Sequence, residues 1–134
     1  MLIDTSAWVE YLRDTGSAAC EHVAVLLREP VDEVVLTPPV VMELLAGATS
    51  TSALRALEQL TAGLPTLAVD GHLDFHAAAA IHRSARQRGA TVRGLMDCLI
   101  GAVAERHGAV LVHRDADLAR VADCLPGLRT VDLR

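Results

Sequence analysis

Leu95-Met96-Asp97-Cys98-Leu99-Ile100-Gly101-Ala102-Val103-Ala104-Glu105-Arg106-His107-Gly108-Ala109-Val110-Leu111-Val112-His113-Arg114-Asp115 is the stretch whose reading decides the fold. Residues 95–107 read as a helix, ended by Gly108. Val110-Leu111-Val112-His113 is a short apolar run without polar alternation, which reads as a strand buried on both faces. An acid, Asp115, stands just past it. Outward from this unit the alternation continues. Leu67-Ala68-Val69 is a short strand, and Asp70 can cap a long helix to about Arg88, ended by Gly89. Residues 51–62 form a helix carrying Leu54, Leu57 and Leu60, closed by Gly63. Val34-Val35-Leu36-Thr37 is a second buried strand, and Pro38-Pro39 opens a helix that stops near Gly47. Residues 18–29 are helical and end at Pro30. Residues 5–13 are a helix with Thr5 or Ser6 as cap and Trp8, Val9 and Leu12 on its apolar side. Residues 1–4 are a buried strand ending in Asp4. A short helix at 116–122 and an edge strand at 129–132 complete the chain.

Strands alternating with helices imply an α/β protein: a three-layer α/β/α arrangement around a central parallel sheet of four to five strands. The 134 residues fit one domain, 1–134, and bury roughly two thirds of the unfolded surface without a disulfide or metal staple. A hydrophobic content of 51% excludes a disordered chain. No apolar run reaches the roughly 18 residues of a membrane span. No basic, then apolar leader opens the sequence, so a cytoplasmic location is expected. Cys20, Cys98 and Cys124 are odd in number and lack a C-x-x-C pair, which suggests neither a disulfide framework nor a zinc knuckle. The net charge is −5, and all 12 cations are arginine. An acidic total argues against a general nucleic-acid coat. It leaves room for a site where carboxylates hold a metal and arginines line the rim. The absence of lysine fits a codon bias spread over the whole chain.

Ligands bind at the carboxyl ends of the strands in such sheets. Asp4 and Asp115 each follow a predicted strand. Glu43 lies in the first turns of the helix after Val34–Thr37, and Asp97 lies in the first turn of the 95–107 helix. All four should stand over one edge. Each acid alone is as well explained as a cap or a helix-dipole partner. Their convergence at one edge is what a hard divalent cation needs: oxygen ligands from distant segments that offset the cost of crowded, partly buried carboxylates.

The ordered set Asp4-Thr5-Ser6-Ala7-Trp8, Glu43-Leu44-Leu45-Ala46-Gly47, Met96-Asp97-Cys98-Leu99-Ile100 and His113-Arg114-Asp115-Ala116-Asp117-Leu118 resembles the PIN-domain ribonucleases. More narrowly it resembles the VapC toxins of bacterial VapBC toxin–antitoxin modules. The motifs span essentially the whole chain; Leu118 stands where the family often has phenylalanine. The resemblance implies an endoribonuclease dependent on Mg²⁺ or Mn²⁺, in which metal-activated water cleaves RNA. It implies Asp4, Glu43, Asp97 and Asp115 as catalytic acids and metal ligands, with Asp117 as a further acid acting through water. It also implies a VapB-like antitoxin partner, a homodimer formed through helices, and a heterotetramer or larger assembly with the antitoxin; no membrane is involved.

Thr5 or Ser6 can hydrogen-bond a ligating carboxylate or a phosphate, and Arg93 and Arg114 flank two of the acids and can contact RNA phosphate. Arg83, Arg86 and Arg88 suit a helix C-terminus. His72 and His76 have metal-compatible i,i+4 spacing but no soft third ligand nearby. Trp8 and Tyr11 read as packing residues. The leucine-rich helices at 18–29 and 51–62 offer apolar surface; in the family such a groove takes the antitoxin's C-terminal segment. Two other classes remain open at this level: a non-catalytic interaction module, and a phosphotransfer or phosphatase-like domain. The second lacks a glycine-rich phosphate loop and a lysine.

Overall fold

The computed structural model describes residues 1–28 and 33–134. The expected helix stop at Pro30 lies outside the described residues. In chain order the elements are β1 (Leu2–Ile3), α1 (Thr5–Leu12), α2 (Ala18–Arg28), α3 (Pro38–Ala46), α4 (Thr51–Ala62), α5 (Leu73–Gln87), α6 (Leu95–Arg106), β2 (Val110–His113), α7 (Ala116–Ala122) and β3 (Arg129–Asp132).

The sheet is parallel throughout, in the order β1-β2-β3. Ile3 lies opposite Val112, and His113 opposite Asp132. Successive strand residues point to opposite faces. Leu2 and Ile3 are both at 0% exposure, as are Leu111, Val112 and His113. Helices therefore cover both faces of β1 and β2. β3 is the edge, mostly exposed and marked by Arg129 and Asp132, charges that discourage further strand pairing.

Among the described residues three strands form rather than the expected four to five. Val34–Thr37 contributes only single parallel bridges, Leu2 to Val35 and Leu36 to Thr66. The chain cannot extend the pairing beyond Thr37, because Pro38 and Pro39 lack an N–H and start α3 at once. Leu67–Val69, expected as a strand, is reduced to the contact at Thr66 and one backbone–backbone hydrogen bond, from Leu67 N to Leu36 O. The sheet thus continues past β1 as isolated hydrogen bonds, not as ladders.

Two apolar clusters fill the interior. One gathers Leu2, Ile3, Trp8, Val23, Leu36, Val40, Ile100 and Leu111 around the sheet. The other joins α5, α6 and α7 through Ile81, Ala85, Leu99, Val103 and Val121. Gly89 and Gly108 follow α5 and α6 with φ of +74° and +64°, the left-handed conformation that a glycine stop supplies without strain. The residue at the N-cap of α5 is His72 and not the expected Asp70, which stands two residues earlier, its Oδ1 accepting from His72 N and Leu73 N. The cap of α1 differs from expectation: it is Asp4, not Thr5 or Ser6. A buried Asp74 is clamped by the Arg106 guanidinium at 2.7 Å on both oxygens, tying α5 to α6. None of the described helices is long and apolar enough to cross a membrane.

Candidate active site

Parallel pairing brings the ends of β1 and β2 to one edge, and the acids follow. Asp4 N donates to Val112 O at 2.9 Å, so Asp4 sits where β1 leaves the sheet beside β2. Its carboxylate is buried, and Oδ2 accepts from Ser6 N (2.8 Å) and Ser6 Oγ (2.5 Å). Burial raises the Asp4 pKa; the Ser6 hydrogen bonds oppose this, and Asp115 adds to it. Asp115 is the N-cap of α7, its Oδ1 accepting from Asp117 N at 2.6 Å. Glu43 lies on α3, and its Oε2 accepts from Thr5 Oγ1 at 2.5 Å.

Asp97, in the first turn of α6, joins these groups. Its pKa is pushed up to about 7, first by burial and then by the charges of Asp115, Asp4, Asp117 and Glu43. Five acids from four stretches of the sequence therefore share one electrostatic neighbourhood. Among the described residues no three His, Cys, Asp or Glu side chains stand close enough, as arranged, to hold a metal ion. Hard carboxylate oxygens repelling one another across one edge are a donor set that suits Mg²⁺ or Mn²⁺ and would gain from either.

The remaining candidates fall into distinct roles. Thr5 and Ser6 are both engaged with carboxylates, Glu43 and Asp4 respectively. The Ser6 hydroxyl also accepts from Arg114 N at 2.9 Å, linking the end of β1 to the loop after β2. The Arg114 side chain pairs with Glu10 at 2.8 Å. Arg93 does not stand free: its Nε and backbone N both donate to Asp117 Oδ2, at 3.0 and 3.1 Å. Asp117 Oδ1 accepts from Arg120 Nη1. Burial pushes the Asp117 pKa up, but Arg93 and Arg120 outweigh it and hold the carboxyl below its usual range. Asp117 is thus engaged by arginines where the sequence suggested a further metal-side acid.

Trp8 is fully buried and meets Tyr11 edge-on at 6.1 Å, a packing arrangement. The His72 and His76 rings lie 4.3 Å apart and tilted by 43°, and among the described residues they belong to no group of three that could hold a metal ion. The three cysteines are free, and burial pushes the Cys98 thiol up to about 11, against any role as a nucleophile.

Sequence reasoning did not single out Gly94, Glu10 or Arg120. Gly94 is the N-cap of α6, and a Cβ there would lie 3.0 Å from Asp97 Oδ2, so its bare backbone leaves space for that carboxylate. Arg120 lies three residues after Asp117 on one helix, an i,i+3 spacing that could have drawn notice. No pattern in the sequence pairs Glu10 with Arg114.

A groove of about 580 Å³ opens beside the acids, lined by α1, α3 and α4 from Thr5 and Glu43 to Leu57 and Leu60.

The chain is similar to known proteins in sequence and in fold. Ribonuclease VapC11 of Mycobacterium tuberculosis is 52% identical over 122 residues, covering 91% of each chain. VapBC2 of Rickettsia felis, solved bound to a promoter DNA fragment, superposes with a TM-score of 0.74 at 15% identity, covering 99% of this chain and 98% of that one. VapBC-1 of nontypeable Haemophilus influenzae gives a TM-score of 0.74 at 19% identity, covering 98% and 96%. At those identities the two structures speak for the fold alone. The family profile of the PIN domain matches residues 1–123, and with it and the VapC11 likeness the chain belongs to the PIN-domain family, among the VapC ribonucleases.

Proposed function

We propose that this chain is an endoribonuclease dependent on Mg²⁺ or Mn²⁺, and the toxin of a toxin–antitoxin pair in the cytoplasm. The observation that carries the reading is Asp97: four other acids, from three other stretches of the sequence, act on its carboxyl. The 52% identity to a protein named as a ribonuclease supports it independently. Asp4, Glu43, Asp97 and Asp115 would hold the ion. When bound, the ion supplies charge neutralisation for the phosphoryl oxygens and lowers the pKa of water.

The chain's own groups do the rest. Ser6 fixes one oxygen of Asp4 and leaves the other to turn towards the ion. Thr5 does the same for Glu43. Asp115 spends Oδ1 on its helix cap and keeps Oδ2. With a pKa of about 7, Asp97 can take up or release a proton at neutral pH until a cation replaces it. Arginines at the lip oppose the charge of an approaching strand.

A VapB-like antitoxin is the proposed partner. The groove between α1, α3 and α4 ends at Thr5 and Glu43, so a segment seated there reaches the acids. α2, the other leucine-rich helix, does not line it. Exposed Met42, Leu73 and Phe75 offer apolar surface for the homodimer and for a heterotetramer or larger complex.

The test is cleavage of labelled RNA by purified protein with Mg²⁺, Mn²⁺ or EDTA. Asp4→Asn and Asp97→Asn should each lose at least about 100-fold in rate while keeping the wild-type circular dichroism spectrum. Full activity in either variant overturns the site.

A further inference from the structure

We infer that Asp117 is a positioning residue for a phosphate grip made by Arg93 and Arg120, and that it stands outside the metal-holding set; the inference rests on the ribonuclease reading above. Asp117 is an inward group and the arginines are outward ones. Its side chain is 4% exposed, against 79% for Arg93 and 43% for Arg120. Both its oxygens are taken, Oδ2 by Arg93 Nε and N, Oδ1 by Arg120 Nη1. A buried carboxylate paired this way is costly to remove, because two guanidinium groups lose their anchor.

Two positive charges on one negative leave the trio net cationic in a chain of net charge −5. Arg93 is anchored through Nε, so its terminal nitrogens are left to meet an anion. A planar guanidinium held at one edge is well disposed to grip phosphate in a bidentate way. Its place is beside the acids: Asp117, which holds Arg93 Nε at 3.0 Å, donates its own N–H to Asp115 Oδ1 at 2.6 Å. Arg114, by contrast, is already held by Glu10 at 2.8 Å. The ligand is the phosphodiester of a single RNA strand adjoining the bond to be cut.

The experiment combines three readings on the full chain: anisotropy of a single-stranded oligoribonucleotide in EDTA over a salt series, steady-state cleavage in Mg²⁺, and the Mg²⁺ dependence of thermal melting. Arg93→Gln should flatten the dependence of log affinity on log salt by about 0.7, as expected for one lost phosphate contact on a single strand. It should raise KM about 5- to 10-fold with kcat within about twofold. In an Asp117→Asn background the same substitution should cost less than about twofold in KM, since the arginine is no longer held. Asp117→Asn should keep its Mg²⁺ affinity. Loss of the Mg²⁺ response in Asp117→Asn at unchanged KM overturns the inference. If that variant does not fold, Arg93→Gln and Arg120→Gln decide alone: unchanged KM and salt slope in both overturn it. Wild-type protein that binds RNA with an arginine-dependent slope but never cleaves retires the ribonuclease reading and leaves the grip standing. Cleavage with arginine-indifferent binding does the reverse.

Discussion

The Ser6 hydroxyl lies between two backbone segments that the sequence separates by more than a hundred residues. It donates to Asp4 Oδ2 and accepts from Arg114 N. Its hydrogen bonds to Asp4 are what hold the burial-raised pKa of that carboxyl in check. The motif Asp4-Thr5-Ser6 shows two hydroxyls beside an acid, but chain order alone cannot say whether they face phosphate, carboxylate or helix N–H groups. In the structure Thr5 turns to Glu43, and Ser6 to Asp4. Ser6→Ala should therefore lower Mg²⁺ affinity about 10- to 100-fold, the usual loss for a group that orients a ligand. The fold should lose about 1 kcal/mol, as for one hydrogen bond. KM for RNA at saturating Mg²⁺ should stay within about twofold. Isothermal titration with Mg²⁺ beside cleavage kinetics checks this; a raised KM at unchanged metal affinity would return Ser6 to the role of a substrate contact.

Helix boundaries were the most legible part of the chain, because they are written in local chemistry. α4 and α7 match their expected spans, and Gly89 and Gly108 end α5 and α6 with the positive φ that they suggest. Strand extent was less legible. β2 and β3 match, but 34–37 has the right apolar pattern and forms only single bridges, and 67–69 forms none, its neighbour Thr66 bridging instead, since ladder length depends on a neighbour's reach. Gly101 shows the same limit inside a helix. By propensity, a buried glycine in α6 costs about 1 kcal/mol relative to alanine. Its reason is long-range: a Cβ there would lie 2.5 Å from Val121 Cγ1 on α7. Gly101→Ala should destabilise the protein by a net of about 1–2 kcal/mol, overpacking outweighing the propensity gain. Val121→Ala in that background should recover part of the loss. Urea unfolding of the single and double variants reads both effects; a more stable Gly101→Ala would mean that α6 and α7 yield to the methyl group.

At the scale of the whole molecule, the convergence of Asp4, Glu43, Asp97 and Asp115 was legible because a parallel sheet sends every strand's carboxyl end to one edge. The ion pairs around them were not, since the pairings Arg93–Asp117 and Arg114–Glu10 depend on loop paths that no periodicity encodes. Gathering acids at an edge has a consequence for stability. An unfolded aspartate titrates near 3.9, whereas in the fold the Asp97 carboxyl is pushed up to about 7, with Asp4 raised as well. Between those values the folded chain holds a proton that the unfolded chain has lost, so each step up in pH through that window destabilises the fold. Below the window the effect is absent; above about 7 it is complete. In EDTA the melting midpoint should therefore be higher at pH 5.5 than at pH 8. Mg²⁺ should raise it at pH 8, by binding the native state, and much less at pH 5.5, where protons compete for the same oxygens. Asp97→Asn should raise the EDTA midpoint, more at pH 8 than at pH 5.5, and should blunt the response to Mg²⁺. Differential scanning fluorimetry over pH and metal concentration measures all of these. Wild-type midpoints indifferent to saturating Mg²⁺ at pH 8, with Asp97→Asn no more stable than the wild type in EDTA, would mean that the acids at this edge are caps and surface charges.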